Sequence, residues 1–360
     1  MARILVTGAS GYIGSWLVAH LSGEGHELDL LLRDEGKINR IRQQCRERGG
    51  NPDKLHALKG DLSLPDLGLK ARQGESRTWD VIIHSGALFG WGLDYQQAYA
   101  SNVQGSLAMV KLAARHEARL IWLGGFMLLN PVHLAELKLD ECVAQDDYAS
   151  IYRKVGVYEA SKIEAHFRSR LLAERLKVNF NVIHPATVCG HSVTGEVDSH
   201  QALFELCTNL IQGKLSAIPG NASHQLPLVS IDSVCKVVAE VVRQPLPSGT
   251  DLLVAHPDSL SLADNIRVLG AAMQVPAPTR FAPLFLLKLL LRIPGLEKLF
   301  RTSRESLAFI RAEKPDYREF QAFVASRNIA LPELKSNLAQ MARYIADQQP
   351  ANLVPLAPSP

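Results

Sequence analysis

The stretch Arg3-Ile4-Leu5-Val6-Thr7-Gly8-Ala9-Ser10-Gly11-Tyr12-Ile13-Gly14 decides how this chain is read. An apolar strand, Arg3 to Thr7, runs into a G-x-x-G-x-x-G turn and then into Ile13 to Ser22, where apolar residues recur at three- and four-residue spacing. Glycines in a strand-to-helix turn allow the tight bend, let backbone amides approach a pyrophosphate and let helix and strand pack closely. The helix N-terminus favours the negative charge. Gly8, Ser10, Gly11, Tyr12, Ile13 and Gly14 are therefore the first candidates for holding a dinucleotide. A plain glycine-rich turn looks the same in isolation; its place on the first βα turn of an alternating chain favours the cofactor.

That alternation runs outward from the turn. Further strands are expected from Glu27 to Arg33, Lys54 to Lys59, Val81 to His84, Arg119 to Leu123, Asn179 to His184 and Asp251 to Ala255, with helices over Tyr95 to Arg115 and Tyr158 to Leu176. The strands lack polar alternation and helix-length segments separate them, which is the pattern of a parallel sheet covered on both faces. The expected fold class is α/β, a Rossmann-type doubly wound parallel sheet with a smaller, mostly helical C-terminal substrate domain. The boundaries read as 1–190 for the dinucleotide-binding domain, with returning segments near 226–256. The substrate region takes 191–225 and 257–346, and 347–360 is a flexible tail.

Composition narrows the partners. At 360 residues, 47% hydrophobic and 21% charged, the chain has the make-up of a soluble globular protein able to bury a real core. Its net charge of +3 is small and evenly spread, which argues against nucleic acid or an anionic membrane and for a small-molecule substrate. Cys45, Cys142, Cys189, Cys207 and Cys235 are widely separated, with no C-x-x-C, and read as reduced intracellular thiols. No secretion signal precedes Arg3, so a cytoplasmic protein is expected. Lys288, Arg292 and Pro294 break the lipophilic stretch Phe281 to Phe300, which excludes a transmembrane span there. That stretch reads as a buried or interfacial helix, either a lid or a membrane-surface contact.

Two further places carry chemistry. At the end of the second strand, Leu31-Leu32-Arg33-Asp34 puts an arginine first, with Lys37 shortly after. A guanidinium there suits the 2′-phosphate of NADP, whereas an acidic residue suits the free 2′-hydroxyl of NAD. NADP is expected over NAD; the competing reading leaves Arg33 as an ordinary surface arginine and gives the ribose to Asp34. Further along, Tyr158-Glu159-Ala160-Ser161-Lys162 places a phenol and an ammonium four residues apart on one helical face. A nearby positive charge lowers a phenol from about 10 toward the working pH, where it exchanges a proton. Of the eight tyrosines only Tyr158 has a lysine at that spacing. His84 and His184 read as satisfied strand-end histidines, and no metal cluster emerges.

Taken in order, these pieces resemble the extended short-chain dehydrogenase/reductase superfamily over about the first 240 residues. The series is the glycine turn, Gly60-Asp61-Leu62, His84-Ser85-Gly86-Ala87, Asn102-Val103-Gln104-Gly105-Ser106, the Tyr158/Lys162 pair, His184-Pro185-Ala186-Thr187-Val188 with Gly190, and Leu228-Val229-Ser230-Ile231-Asp232. Arg33-Asp34 and Asp140-Glu141 look most like the branch with dihydroflavonol reductases and 3β-hydroxysteroid dehydrogenases. The resemblance implies that Asp61 and Leu62 contact adenine, that Ser85, Ala87 and Asn102 belong to the cofactor channel, and that Lys162 also holds the nicotinamide ribose. It implies further that Pro185 and Val188 flank the carboxamide end, and that the helices from Tyr95 and from Tyr158 form a four-helix homodimer contact.

One departure matters. Where the family normally supplies a Ser or Thr after the fifth strand, this chain has Trp122-Leu123-Gly124-Gly125-Phe126-Met127-Leu128-Leu129, with no hydroxyl. Losing such a donor typically costs a few kcal/mol of transition-state stabilisation, roughly two to three orders of magnitude in rate. Another donor replaces it, the reaction differs, or the protein binds cofactor without turnover. The leading reading is an NADP-dependent oxidoreductase that moves a hydride between nicotinamide and a carbonyl or alcohol of a moderately lipophilic small molecule. Tyr158 is its acid/base and Lys162 tunes the phenol. The alternatives are an NADP-binding sensor or scaffold and a nucleotide-sugar epimerase or dehydratase. Phe126 to Leu129 would make the cleft apolar or, equally, belong to the core.

Overall fold

Uninterrupted apolar runs become strands in the middle of the molecule. The computed structural model describes residues 1–69, 78–90, 92–291, 293, 307 and 310–349. Its strands are β1 (Arg3–Thr7), β2 (Glu27–Leu32), β3 (Leu55–Lys59), β4 (Val81–His84), β5 (Arg119–Leu123), β6 (Phe180–Pro185), β7 (Thr187–Cys189), β8 (Ile218–Pro219), β9 (Leu228–Ser230), β10 (Asp251–Val254) and β11 (Phe281–Ala282). The helices of the first half are α1 (Tyr12–Gly23), α2 (Ile38–Glu47), α3 (Tyr95–Ala98), α4 (Gly105–Arg115), α5 (Pro131–Glu136), α6 (Leu139–Gln145), α7 (Ala149–Val155) and α8 (Val157–Arg175). After them come α9 (Ala202–Ile211), α10 (Ile231–Arg243), α11 (Leu262–Met273), α12 (Leu284–Leu290), α13 (Arg318–Ser326) and α14 (Leu334–Asp347).

Contacts divide the chain into two units, Met1–Pro185 with Cys235–Val254, and Ala186–Val234 with Ala255–Pro360. The first unit holds a seven-stranded parallel sheet in the order β10-β6-β5-β4-β1-β2-β3. Ile4, Leu5, Val6, Leu28, Leu30, Val81, Ile82 and Ile83 are all fully buried, as strands covered on both faces require. From β1 the chain builds outward through β2 and β3, then returns to the other side of β1 and builds outward again from β4. Thr7 lies level with Leu31 on one side and with His84 on the other, so the carboxyl ends of β1, β2 and β4 share one edge. A crevice at such a switch point is where open α/β sheets take their ligands.

The second unit pairs β7 with β9 and β8 with β11, and packs α11 against α14. Its Asn337 holds Gly190 O through Nδ2 and accepts from Cys189 Sγ. All five cysteines are buried and none forms a disulfide. No helix among the described residues is long and apolar enough to cross a membrane.

Three expectations are corrected in detail. The strand expected through Arg33 ends at Leu32, because the Asp34 side chain caps the short turn Glu35–Lys37 by accepting from Gly36 N at 2.9 Å. The helix expected over Tyr95 to Arg115 is broken by a π-helical turn, Tyr99–Gln104. That wider turn carries Asn102, whose amide bonds two neighbouring segments. Of the lipophilic stretch from Phe281, read as a buried or interfacial helix, Phe285, Leu286, Leu289, Leu290 and Ile293 are exposed and Leu291 is buried, so the described part is not a fully buried helix. Its continuation at 292 and 294–300, and the tail at 350–360, lie outside the described residues.

One polar residue interrupts the core of β2. Asp29 is fully buried, yet Arg3 Nε reaches its carboxylate at 2.7 Å and Trp79 Nε1 at 2.8 Å. A buried carboxylate persists when it is paired and hydrogen-bonded. Asp29→Ala leaves the Trp79 N–H without this acceptor, so urea denaturation should show a loss of about 1–3 kcal/mol. Asp29→Asn, which keeps an acceptor oxygen, should lose less.

Candidate functional site

The crevice at the β1/β4 reversal is a cavity of about 780 Å³ within the first unit. Gly8, Ser10, Gly11, Arg33, Asp61, Leu62, Ser85 and Ala87 line it, joined by Asp34, Lys37 and Ser63. Tyr12, Ile13 and Gly14 form the first turn of α1 directly after the glycine loop. Gly11 caps that helix with no side-chain hydrogen bond, so the first-turn amides carry their partial positive charge without a side-chain acceptor from the cap. A Cβ on Gly14 would stand 2.1 Å from Gly8 O, so the turn closes onto the helix only with glycine there. The arrangement fits a pyrophosphate.

Behind this wall runs a directed chain of hydrogen bonds. Burial, with a smaller effect of Lys162, lowers His84 to about 3, so its ring is neutral. Ser106 Oγ donates to Asn102 O at 2.6 Å and so accepts from His84 Nε2 at 3.0 Å. His84 Nδ1 is then an acceptor for the Thr7 hydroxyl at 2.8 Å, and Thr7 Oγ1 in turn accepts from Gly86 N at 3.0 Å. Ser85 Oγ donates to Thr7 O at 2.8 Å. The chain fastens the ends of β1 and β4 to α4, and it gives His84 the satisfied strand-end role. Asn102 is buried and does not line the cavity. Its Nδ2 donates to Leu88 O and to Ser161 Oγ, which binds the loop after β4 to α8.

At the far end of the cavity Arg33 and Lys37 are exposed, and Lys59 Nζ donates to Arg33 O. Asp61 Oδ1 accepts from Ser63 N at 2.9 Å and from Ser63 Oγ at 2.8 Å, which orders the loop after β3. Asp140 and Glu141 lie exposed in the first turn of α6, where negative charge suits the helix N-terminus.

Tyr158 and Lys162 lie on α8 and do not line this cavity. Lys162 Nζ donates to Leu123 O, the last residue of β5, at 2.9 Å, and stands over the Trp122 ring at 4.4 Å. Tyr158 meets the edge of Phe89 at 4.9 Å between ring centroids. Burial lowers Lys162 to about 8. Burial, then the charge of Glu159, pushes Tyr158 up to about 12. This reverses the expected lowering of the phenol: the ammonium is engaged with the Leu123 carbonyl and the Trp122 face, and desolvation of the phenolate outweighs it.

The glycine pair after β5 has a partner that spacing alone did not reveal. His184 Nδ1 lies 3.0 Å from Gly125 O and 3.3 Å from Gly125 N, and its Nε2 lies 3.0 Å from Asp251 Oδ1. Arg170 pairs with Asp251 and donates to Gly249 O. Burial pushes the Asp251 carboxyl up, but the His184 hydrogen bond and the His166, His184 and Arg170 charges hold it below its ordinary range. His166, His184 and Asp251 bring their ligand atoms within 4.8 Å of one another, and the Arg170 guanidinium already balances the carboxylate. A Cβ on Gly124 would stand 2.6 Å from His184 Nδ1, whereas a Cβ on Gly125 would meet nothing within 4 Å. Met127 and Leu128 turn into the core, and Phe126 and Leu129 are half-buried. Pro185 closes β6 and Val188 lies in β7 of the second unit; both are buried, and neither lines the cavity.

Comparison with known proteins agrees with this geometry. The NAD-binding family described as Male sterility protein matches residues 6–238, and the chain belongs to it. The large subunit of L-2-aminoadipate reductase from Candida glabrata is 26% identical over 277 residues, covering 71% of this chain but only 20% of that protein. Among solved structures, the terminal R domain from the myxalamid PKS-NRPS biosynthetic pathway superposes with a TM-score of 0.76 at 20% identity, covering 96% of this chain and 91% of that one. A thiolation-reductase di-domain from an archaeal non-ribosomal peptide synthetase gives 0.68 at 16% identity, covering 96% and 75%. The fold is thus an extended short-chain dehydrogenase/reductase type of nicotinamide-dinucleotide-binding Rossmann fold.

The two glycines should respond differently to the same substitution. Gly124→Ser forces its side chain against the His184 ring and should cost about 1–3 kcal/mol in urea denaturation, the usual penalty for overpacking. Gly125→Ser, at an extended φ of −166° with open space beyond it, should leave the unfolding midpoint near that of the wild type.

Proposed function

We propose that this member of the Male sterility protein family is an NADP-dependent reductase of a carbonyl group on a moderately lipophilic small molecule. One observation carries the reading: Lys162 Nζ sits on the carbonyl of Leu123 at 2.9 Å, which puts the Tyr158/Lys162 pair at the carboxyl end of β5, in the same sheet whose β1 turn lines the cavity. A bound NADPH supplies the hydride. The glycine loop, from Gly8 to Gly14, holds the pyrophosphate. Asp61, Leu62, Ser85 and Ala87 wall the adenosine side, and Lys162 holds the nicotinamide ribose. Pro185 stands near the carboxamide end, and Asn102 orders the loop after β4 from behind. Tyr158 donates the proton to the carbonyl oxygen.

NADP is favoured over NAD because Arg33 and Lys37 bring two cations to the cavity wall, while Asp34, which lines it too, already uses one carboxylate oxygen to cap its own turn. The relatives' names point to reductases, one of them joined to a thiolation domain, so an acyl thioester belongs beside aldehydes and ketones as a candidate substrate. The chain spans only a fifth of the aminoadipate reductase subunit, so that enzyme's substrate is not carried over. The narrower placement beside dihydroflavonol reductases rests on Arg33-Asp34 and Asp140-Glu141 alone, and these surface residues do not distinguish that branch. A sensor that binds NADP without turnover remains the second reading, favoured by the absence of a hydroxyl side chain from Trp122 to Leu129.

Titration of the purified protein should show tighter binding of NADPH than NADH, and Arg33→Ala should weaken NADPH by about tenfold, roughly 1.4 kcal/mol. With a panel of aldehydes, ketones and acyl thioesters, Tyr158→Phe should cut turnover by about 10²–10⁴ and leave NADPH affinity unchanged. Tight NADPH binding with no turnover on any of the panel, and no gain from Gly125→Ser, would establish the sensor instead.

A further inference from the structure

Four of the chain's eight tyrosines line a second cavity of the first unit, about 290 Å³ in volume, and none of them lines the β1/β4 crevice. Three pairs at helical spacing meet there: Tyr95 with Tyr99 from α3 and the π-helical turn, Tyr148 with Tyr152 at α7, and Glu164 with Arg168 on α8. The Tyr95 and Tyr152 rings stand 4.9 Å apart between centroids at 73°, while Tyr99 lies along Tyr95 at 5.7 Å and 24°. The walls are therefore aromatic and set at angles to one another. Asp146 and Asp147, from the turn before α7, complete the lining, so three carboxylates stand against one guanidinium. That guanidinium is already placed: Arg168 Nε lies 3.0 Å from Glu164 Oε1, its Nη2 lies 3.1 Å from Asp146 Oδ1, and its Cζ stands 5.5 Å over the Tyr148 ring. The Tyr152 hydroxyl donates to Glu164 Oε2 at 2.9 Å. Asp147 accepts from Ala149 N at 2.9 Å and has no ion-pair partner among the described residues.

We propose that this cavity binds an organic ammonium group of a small molecule, with Tyr95, Tyr99 and Tyr152 as its aromatic walls and Asp147 as the counter-charge. The face of an aromatic ring carries partial negative charge, and rings set at a steep angle let one cation meet two of them. Aromatic walls alone would suit an uncharged apolar group, and carboxylates alone would suit a metal ion. A hard cation such as calcium needs six to eight oxygen ligands, roughly, yet both Glu164 oxygens and Asp146 Oδ1 are already taken by Tyr152 and Arg168. A weakly hydrated ammonium gains from the rings and from the excess negative charge together. The fold already shows the principle once, in the Arg168 guanidinium held between carboxylates over Tyr148. The volume lies at the lower edge of the roughly 300–1,000 Å³ of ligand pockets, which suits a small head group and not a whole dinucleotide. The site is independent of the proposed reduction, since none of these side chains lines the β1/β4 crevice.

Calorimetric titration of the full chain with tetramethylammonium chloride and with tert-butanol, an uncharged molecule of similar branched shape, separates charge from shape. Tetramethylammonium should bind about tenfold tighter or better. Tyr95→Leu keeps apolar bulk at a position that is 48% exposed, and it should weaken tetramethylammonium by about fivefold to tenfold. Tyr95→Phe, which keeps the ring, should stay within about twofold of the wild type. Asp147→Asn retains the oxygen that accepts from Ala149 N, so the turn is kept; it should weaken tetramethylammonium by about fivefold and leave tert-butanol unchanged. Equal affinity for the two compounds, no binding of tetramethylammonium, or undiminished binding in either Tyr95→Leu or Asp147→Asn would overturn the proposal. Displacement of tetramethylammonium by calcium chloride at equal ionic strength would do the same, as the mark of an oxygen-lined metal site. Sedimentation of the same samples completes the test: a dimer that covers this face and excludes tetramethylammonium likewise overturns it.

Discussion

The reversal of strand order between β1 and β4 is the constraint on which the rest of the structure depends. It leaves a gap at the carboxyl edge of the sheet that neither neighbour fills, and the Thr7–His84–Ser106 chain of hydrogen bonds holds the two edges of that gap in register. Each proton in the chain has one place to go, so the wall is ordered by polar contacts that never face solvent. The cavity, the first-turn amides of α1 and the cations at the end of β2 all follow from where that gap lies.

The other end of the site is governed by competition for charge. Lys162 lies one helical turn from Tyr158, but its ammonium binds the Leu123 carbonyl and the Trp122 face. Desolvation then sets the phenol, and the buried Glu159 carboxylate adds to it rather than opposing it. The structure accordingly shows a phenol raised by burial beside a lysine committed to the sheet edge.

The glycines after β5 also take a different meaning in three dimensions. From sequence they mark the loss of a hydroxyl. In the fold, Gly124 is the residue that lets the His184 ring come up to the strand end, where it bonds the Gly125 backbone on one side and Asp251 on the other. The absent side chain at Gly124 is a packing requirement, while the space beside Gly125 is open.

Much of this was legible from local spacing. Arg3 to Thr7 followed by Gly8, Gly11 and Gly14 specifies a strand, a tight turn and a helix start, because each depends on residues within a few positions of one another. The same holds for Tyr158 and Lys162, which share a face through the helical period, and for Arg33, which falls within a residue of the end of β2. The breadth of the π turn at Asn102 and the seat of His184 were not legible, since each is set by partners distant in the chain, and the exposure of Phe285, Leu286, Leu289 and Leu290 depends on what the fold leaves uncovered. Sequence by itself determined the order of strands and helices and the short-range placement of the glycine-turn and Tyr–Lys residues. Only the tertiary structure decided which charges act on the phenol, because burial and hydrogen bonding depend on what the fold brings alongside a group: Leu123 to Lys162, His133 to Glu159 and Asp251 to His184.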